Sequence, residues 1–362
     1  MTVHGHGHAR ARVIHTGQVV VDVTMRVPAV PAPGAEVFAS GFALTPGGGF
    51  NVLHAVRQVG ADVVYCGPVG DGVLGEVVRR ALDADGVEFA GAQVSGVDTG
   101  ICVALTDDSA ERTFLSTMGA ECRVPLDAFD AVEPRDGQVL YISGYSLIDP
   151  TNLAALGRLA HRWAVHADAD APTGPAGGMP VPGPAPHPHR VLLDTSPMIG
   201  EVPLDVLQAM NAFDPIWSAN ERETRLLAAT LGHDGHGPGH GDEDPIEALC
   251  AWLAHRLGAT VICRVGPQGA WWSAGGPAVL VPSVAVTPVD TNGAGDAHSG
   301  VLCALLAEHV PLPRALRLAN IAGALSTTRP GPATCPTLEE ILARDGAQTA
   351  GPGPDEGREA HP

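Results

Sequence analysis

Short runs of branched apolar residues alternate with stretches in which apolar residues recur every three or four positions, from residue 13 to about residue 344. Residues 13–23 predict a first buried strand that closes on Asp22. Pro28, Pro31, Pro33 and Gly34 break regular structure, and a short extended run over 36–42 follows. Pro46-Gly47-Gly48-Gly49-Phe50-Asn51 then opens a helix with Val52, Ala55, Val56 and Val59 on its apolar face. A strand over 62–67 precedes a strongly periodic helix carrying Leu74, Val77, Val78, Ala81 and Leu82. Residues 101–106 and 112–117 flank a polar turn and predict a β-hairpin.

Beyond residue 137, strands at 138–143, 191–194, 214–218 and 261–265 alternate with helices marked by Leu156 and Trp163, by Leu227 and Leu231, and by Leu249, Leu253 and Leu257. Such alternation predicts an α/β fold with a mostly parallel sheet covered on both faces. A hairpin around Gly275-Gly276 follows, then a strand ending through Val284, Val286 and Val289. Two further helices carry Ala297, Val301 and Leu305, and Ala315, Leu318 and Ala322; Thr337 with Glu340 forms a capping box for the last helix.

Four segments lack any period: 1–12, 167–189, 232–244 and 345–362. Their Gly, Pro, His and polar content predicts disordered tails and insertions around one domain spanning 13–344. No run is long and apolar enough to span a bilayer or to serve as a secretory leader, so a soluble cytoplasmic protein is expected. The formal charge of −19 argues against nucleic-acid and anionic-membrane partners. The chain contains no lysine, which eliminates a Walker A loop and a protein-kinase lysine. Seven dispersed cysteines suit reduced thiols better than a disulfide framework.

The candidate chemistry centres on Pro288-Val289-Asp290-Thr291-Asn292-Gly293-Ala294-Gly295-Asp296-Ala297. A helix start here leaves N–H groups free to hold an anion, and the glycines let it approach. Asp296 then stands beside whatever is held, as a base for an attacking alcohol; the plainer reading is a tight turn with a capping acid. A rival signal is Gly70-Asp71-Gly72-Val73-Leu74-Gly75 with Glu88 downstream, a dinucleotide-binding fingerprint that supports an NAD-dependent enzyme.

The string Asp290-Thr291-Asn292-Gly293-Ala294-Gly295-Asp296 resembles the D-T-x-G-A-G-D signature of the ribokinase-like carbohydrate kinases, the PfkB family. The resemblance implies the ribokinase-like fold with a small β lid built from residues 24–44 and 97–117, through which two copies pair as a homodimer. It implies transfer of the γ-phosphoryl group of ATP, with Mg²⁺, to a hydroxyl of a small sugar. A nucleoside or sugar-phosphate acceptor, or a catalytically silent binding protein of this fold, stays as an alternative. By resemblance Asp296 is the base, and Gly293, Ala294 and Gly295 form the anion hole. Asp22, Gly47, Gly48 and Asn51 hold the substrate, with Arg112 reaching in from the lid. Asn220 and Glu223 match N-x-x-E, which orders Mg²⁺ through water. Gly266 and Gly269 line the nucleotide, and Asn320 flanks its base. Asp290, Asn292, Arg329, Gly331 and Cys335 form the loop that encloses a monovalent cation, usually K⁺.

Overall fold

The computed structural model describes residues 12–109, 111–133, 135, 137–169, 190–234 and 244–349. The disorder expected over 1–11, 170–189, 235–243 and 350–362 therefore lies outside the described residues. In chain order the strands are β1 (Arg12–His15), β2 (Val19–Arg26), β3 (Gly41–Gly48), β4 (Asp62–Tyr65), β5 (Val69–Gly70), β6 (Glu88–Phe89), β7 (Gln93–Val94), β8 (Ile101–Thr106) and β9 (Arg112–Ser116). They continue with β10 (Gln138–Ser143), β11 (Arg190–Asp194), β12 (Ile216–Asn220), β13 (Val261–Arg264), β14 (Gly269–Ser273) and β15 (Val279–Pro282). The α-helices are α1 (Gly49–Gln58), α2 (Val73–Ala84), α3 (Pro150–Ala169), α4 (Leu204–Met210), α5 (Glu221–Thr230), α6 (Ile246–Leu257), α7 (Ala294–Ala307), α8 (Leu312–Ser326) and α9 (Leu338–Thr349).

Among the described residues nine strands form one sheet in the order β15-β14-β13-β12-β11-β10-β1-β4-β6. The pairs from β13 to β6 are parallel, and β14 and β15 add an antiparallel edge. Successive side chains enter opposite cores, which is why these strands read as unbroken apolar runs: Val13 and Leu192 pack on one face, Ile14 and Leu193 on the other. Helices α1, α2, α7, α8 and α9 cover the first face, and α3 to α6 the second. From β1 the chain builds outward through β4, then returns to place β10 on the other side. Ligands of open α/β sheets bind beyond the strand C-termini at such a reversal. Helix α7 packs across this point, touching β1, β10 and β11.

A second sheet, β3-β2-β8-β9, forms the small β lid. Its presence corrects the reading of residues 13–23 as one strand. The run breaks at Thr16-Gly17-Gln18 into β1 in the main sheet and β2 in the lid, so Asp22 is a lid residue. The hydrophobic pattern hides the break because both halves are buried. Gly17 marks it sterically: a Cβ there would lie 2.6 Å from Ser143 Cβ. The lid also starts earlier than expected, at Val19, and its second strand starts at Gly41 instead of Glu36.

Residues 283–288 form no strand, contrary to the expectation for Val284, Val286 and Val289. The segment is instead pinned at its end, where the N–H groups of Val289 and Asp290 both donate to Thr327 O at 2.7 and 3.0 Å. Helices α3 and α9 run past the expected domain edges to Ala169 and Thr349. In α9 Asp345 is buried and accepts from Arg317 Nε at 3.1 Å and from Arg314 Nη1, which fixes a turn expected to be tail. The capping box of this helix forms as expected, with Glu340 N donating to Thr337 Oγ1 (3.3 Å) and Thr337 N to Glu340 Oε2 (2.8 Å).

Candidate active site

Gly293 precedes α7 at φ 75°, in the left-handed region, and a Cβ there would sit 3.5 Å from Asn51 Nδ2. The turn thus favours glycine for its conformation. Ala297 N donates to Gly293 O at 2.8 Å, so the N–H groups of Gly295 and Asp296 precede the helix's own ladder and project from its end.

Asp296, half-buried in this first turn, accepts from Asn51 Nδ2 at 2.9 Å. Burial pushes its carboxyl up to about 6; the Asn51 bond and the Arg264 guanidinium oppose that shift, while Asp194 and Asp22 reinforce it. The other end of the same amide is occupied too, since Asn51 Oδ1 accepts from Ala333 N at 3.1 Å. Asn51 therefore ties the start of α1 to Asp296 and to the 329–335 loop in one residue.

Asp22 lies on β2, paired in register with Thr45 and Cys102, and burial pushes it to about 6 as well. A Cβ on Gly47 would come within 2.2–2.4 Å of the Asp22 carboxyl atoms, so only glycine lets β3 pass beside this acid. Gly48 has φ 57° and turns the chain from the lid into α1. Arg112 pairs with Thr106 at the far end of β9, and its side chain lies outside the described residues.

Asn220 caps α5, accepting from Glu223 N at 2.9 Å, and Glu223 Oε2 accepts from Asn220 N at 3.0 Å. Glu223 is 4% exposed, also accepts from Thr195 Oγ1 at 2.9 Å, and lies 3.8 Å from Arg264 Nη2. Burial raises its carboxyl, with Arg264 opposing. Gly266 (φ 56°) is open, whereas a Cβ on Gly269 (φ 115°) would sit 2.2 Å from Val281 O, so Gly269 has a structural reason of its own. Asn320 is buried and donates to Val281 O at 2.8 Å.

Asp290 accepts from Asn292 N at 2.9 Å and from Gly331 N at 3.0 Å, which folds these residues into one turn with Ala333 at φ 52°. The side chain of Arg329 turns outward to Glu340. Cys335 is buried beside the same loop.

The glycine-rich start of α2 is a different matter. Asp98 accepts from Leu74 N at 3.0 Å and Gly75 N at 2.8 Å, so the helix end is already filled by a carboxylate. A Cβ on Gly75 would lie 2.0 Å from Gly70 O, and one on Gly72 would lie 2.3 Å from Asp98. These glycines serve a packed turn, and the dinucleotide reading fails.

Several residues of the site carry no motif. Arg264, Asp194, Ser218 and Ser299 form a buried polar network beside Glu223. Tyr145, half exposed just beyond β10, is raised by burial and by the nearby charges of Glu223 and Asp296. Buried His15 stacks on Tyr141 at 4.6 Å beneath the Gly47–Gly49 turn, and burial pushes its pKa down to about 3. A charged residue closing a strand of the parallel sheet, as Arg264 and Asp194 do, was the one available signal.

Known proteins resemble the chain over most of its length. The profile of the pfkB family carbohydrate kinases matches residues 10–173 and 190–339. The uncharacterized sugar kinase YegV of Escherichia coli is 27% identical over 334 residues, covering 92% of this chain and 94% of that protein. An ATP-dependent ribose-1-phosphate kinase of Halopiger xanaduensis is 28% identical over 334 residues, covering 92% and 97%. Among solved structures, the ribokinase of Giardia lamblia superposes with a TM-score of 0.73 at 18% identity, over 92% of this chain and 99% of that one. The match runs through both sheets and the signature turn, and the chain belongs to the pfkB family of carbohydrate kinases.

Proposed function

We propose that the chain transfers the γ-phosphoryl group of ATP to a hydroxyl of a small neutral sugar, with Asp296 as the base. The observation that carries this reading is the bond between Asp296 and Asn51, near enough to Asp22 for its charge to act on Asp296, with the N–H groups of Gly295 and Asp296 at the α7 start beside them. Asp22 orients the acceptor, Asp296 takes the hydroxyl proton, and the N–H groups of Gly293, Ala294, Gly295 and Asp296 stabilise charge on the moving phosphoryl group. ATP fits the sheet's C-terminal edge along Gly266 and Gly269, with Asn320 near its base.

Among the described residues no cluster of three or more His, Cys, Asp or Glu side chains is arranged to hold a metal. That fits Mg²⁺, which keeps its waters and is carried chiefly by phosphate oxygens, with Glu223 contacting it through water. The ion supplies neutralisation of phosphate charge. The turn joining Asp290, Asn292, Gly331 and Cys335 would enclose K⁺ through backbone oxygens.

Among the substrate-segment arginines whose side chains are described, placement favours a neutral acceptor. Arg57 is occupied on the outside of α1 by Asp62 (3.0 Å) and by Asp85 O (3.1 Å), and Arg26 is exposed at the far end of β2. A nucleoside is the second reading, favoured by Phe114 and Ala104, which share the Asp22 face of the lid and offer an apolar surface for a base. A coupled ADP-release screen of free sugars, nucleosides and sugar phosphates, with K⁺ or Na⁺, tests all of this. Turnover with a free sugar is expected, faster in K⁺, with kcat/KM falling as the pH drops through about 6 where Asp296 protonates. Exclusive use of phosphorylated acceptors would reject the neutral-sugar reading, and no transfer to any acceptor would leave a silent binding protein.

The opposite lid face, with Val23, Phe42, Leu44, Val103 and Leu115, supports pairing of two lids. Phe42 and Leu115 are 66% and 62% exposed. Light scattering is expected to give a dimer that Leu115→Glu converts to monomer; a monomeric parent chain rejects the pairing. All seven cysteines are free, and no helix among the described residues is long and apolar enough to cross a membrane. Both suit an enzyme working on cytoplasmic ATP.

A further inference from the structure

Arg264 closes β13 at the edge of the sheet where the site lies, and its side chain is 14% exposed. Its Nη1 donates to Asp194 Oδ2 (3.1 Å), Ser218 Oγ (2.9 Å) and Ser299 Oγ (3.0 Å). Its Nη2 pairs with Asp194 Oδ1 at 2.8 Å and lies 3.8 Å from Glu223 Oε2. Ser299 in turn donates to Asp194 Oδ2 at 2.5 Å. One guanidinium thereby joins the ends of β11, β12 and β13 to the first turn of α5 and to Ser299, one turn into α7.

The contact with α7 is close where it matters. A Cβ on Gly295 would lie 3.8 Å from Arg264 Cζ and 3.9 Å from Nη2, so the guanidinium faces the Gly295 backbone across the space of one methyl group. A planar fork with five donors can span these partners at once; an ammonium on a flexible stem cannot.

We propose that Arg264 is a positioning residue for phosphoryl transfer: it locks the start of α7 and the Glu223 carboxylate into one frame. The inference rests on the kinase reading above. With Asp194 paired to it and Glu223 nearby, the guanidinium acts as a fixed anchor for the turn that meets the phosphoryl group.

The test compares parent, Arg264→Gln, Arg264→Lys, the double variant Asp194→Asn with Arg264→Gln, and Ser299→Ala. Thermal midpoint, calorimetric affinity for Mg·ADP, acceptor KM and kcat are measured for each. Arg264→Gln strands two buried carboxylates, so both midpoint and kcat should fall, kcat by about 10², the usual cost of losing a key electrostatic group. The double variant removes a stranded charge and should regain the midpoint while kcat stays low and acceptor KM changes little. Lysine restores charge without the fork, and should regain midpoint more than turnover. Ser299→Ala strands no charge, so it reads the link to α7 even where the arginine variants fail to fold; about a tenfold loss of kcat at near-parental midpoint is expected. A double variant or Ser299→Ala with parental kcat overturns the proposal and leaves Arg264 a purely structural residue. A parent chain inactive on every acceptor fails the kinase reading itself, which is a separate result.

Discussion

Asp296→Asn is expected to lower kcat by at least about 10² with little change in acceptor KM, and to raise the thermal midpoint at neutral pH. The two effects have one cause. Burial holds the folded-state pKa near 6, above the ordinary 3.8, so Asp296 contributes stability that is fully present below pH 3.8 and is lost as the pH rises through 6. At the working pH the ionised carboxylate therefore costs stability, on the order of 1–3 kcal/mol, which a neutral amide does not. Asn keeps the shape and can still meet Asn51, but it cannot take a proton. Kinetics of the purified variant together with a melting curve decide the matter: near-parental turnover removes Asp296 from the mechanism, and an unchanged or lower midpoint contradicts the stored cost.

The second large effect is expected from Asn51→Leu, a change of similar volume. It leaves Ala333 N without its acceptor and Asp296 without its amide donor. Each buried polar group so stranded costs about 1–3 kcal/mol, enough for a 10- to 100-fold loss of kcat if it falls on the transition state. Because the Asn51 bond lowers the Asp296 pKa, its removal should also move the acidic limb of the kcat/KM profile to higher pH. A loss of rate without that displacement would mean Asn51 acts only on the substrate. Asn51→Asp should be at least as damaging, since it would set two carboxylates within hydrogen-bond distance.

Much of the fold was legible because parallel strands buried on both faces give unbroken apolar runs, as in Val191-Leu192-Leu193 and Val261-Ile262-Cys263. The signature turn was legible because left-handed backbone at Gly293 favours glycine, and the turn into α1 because of the close approach at Gly47. The division of residues 13–23 was not, since burial continues across Gly17 while the chain changes sheets. Nor was the filling of the α2 start by Asp98, because a vacant helix end and one capped from a distant loop have the same local sequence. Arg264 and Asp194 were invisible for a related reason. Each is a single charged residue at the end of an apolar run, and only the strand order brings them together.

The three-residue crossing at Gly17 has a kinetic implication. Asp22 is carried by the lid sheet and Asp296 by α7 over the main sheet, so under the proposed mechanism an outward swing of the lid would separate the acid assigned to hold the sugar from the one assigned to activate it. Water entering with the lid raised would then meet an incomplete site, so the proposed mechanism carries its own protection against wasteful ATP breakdown.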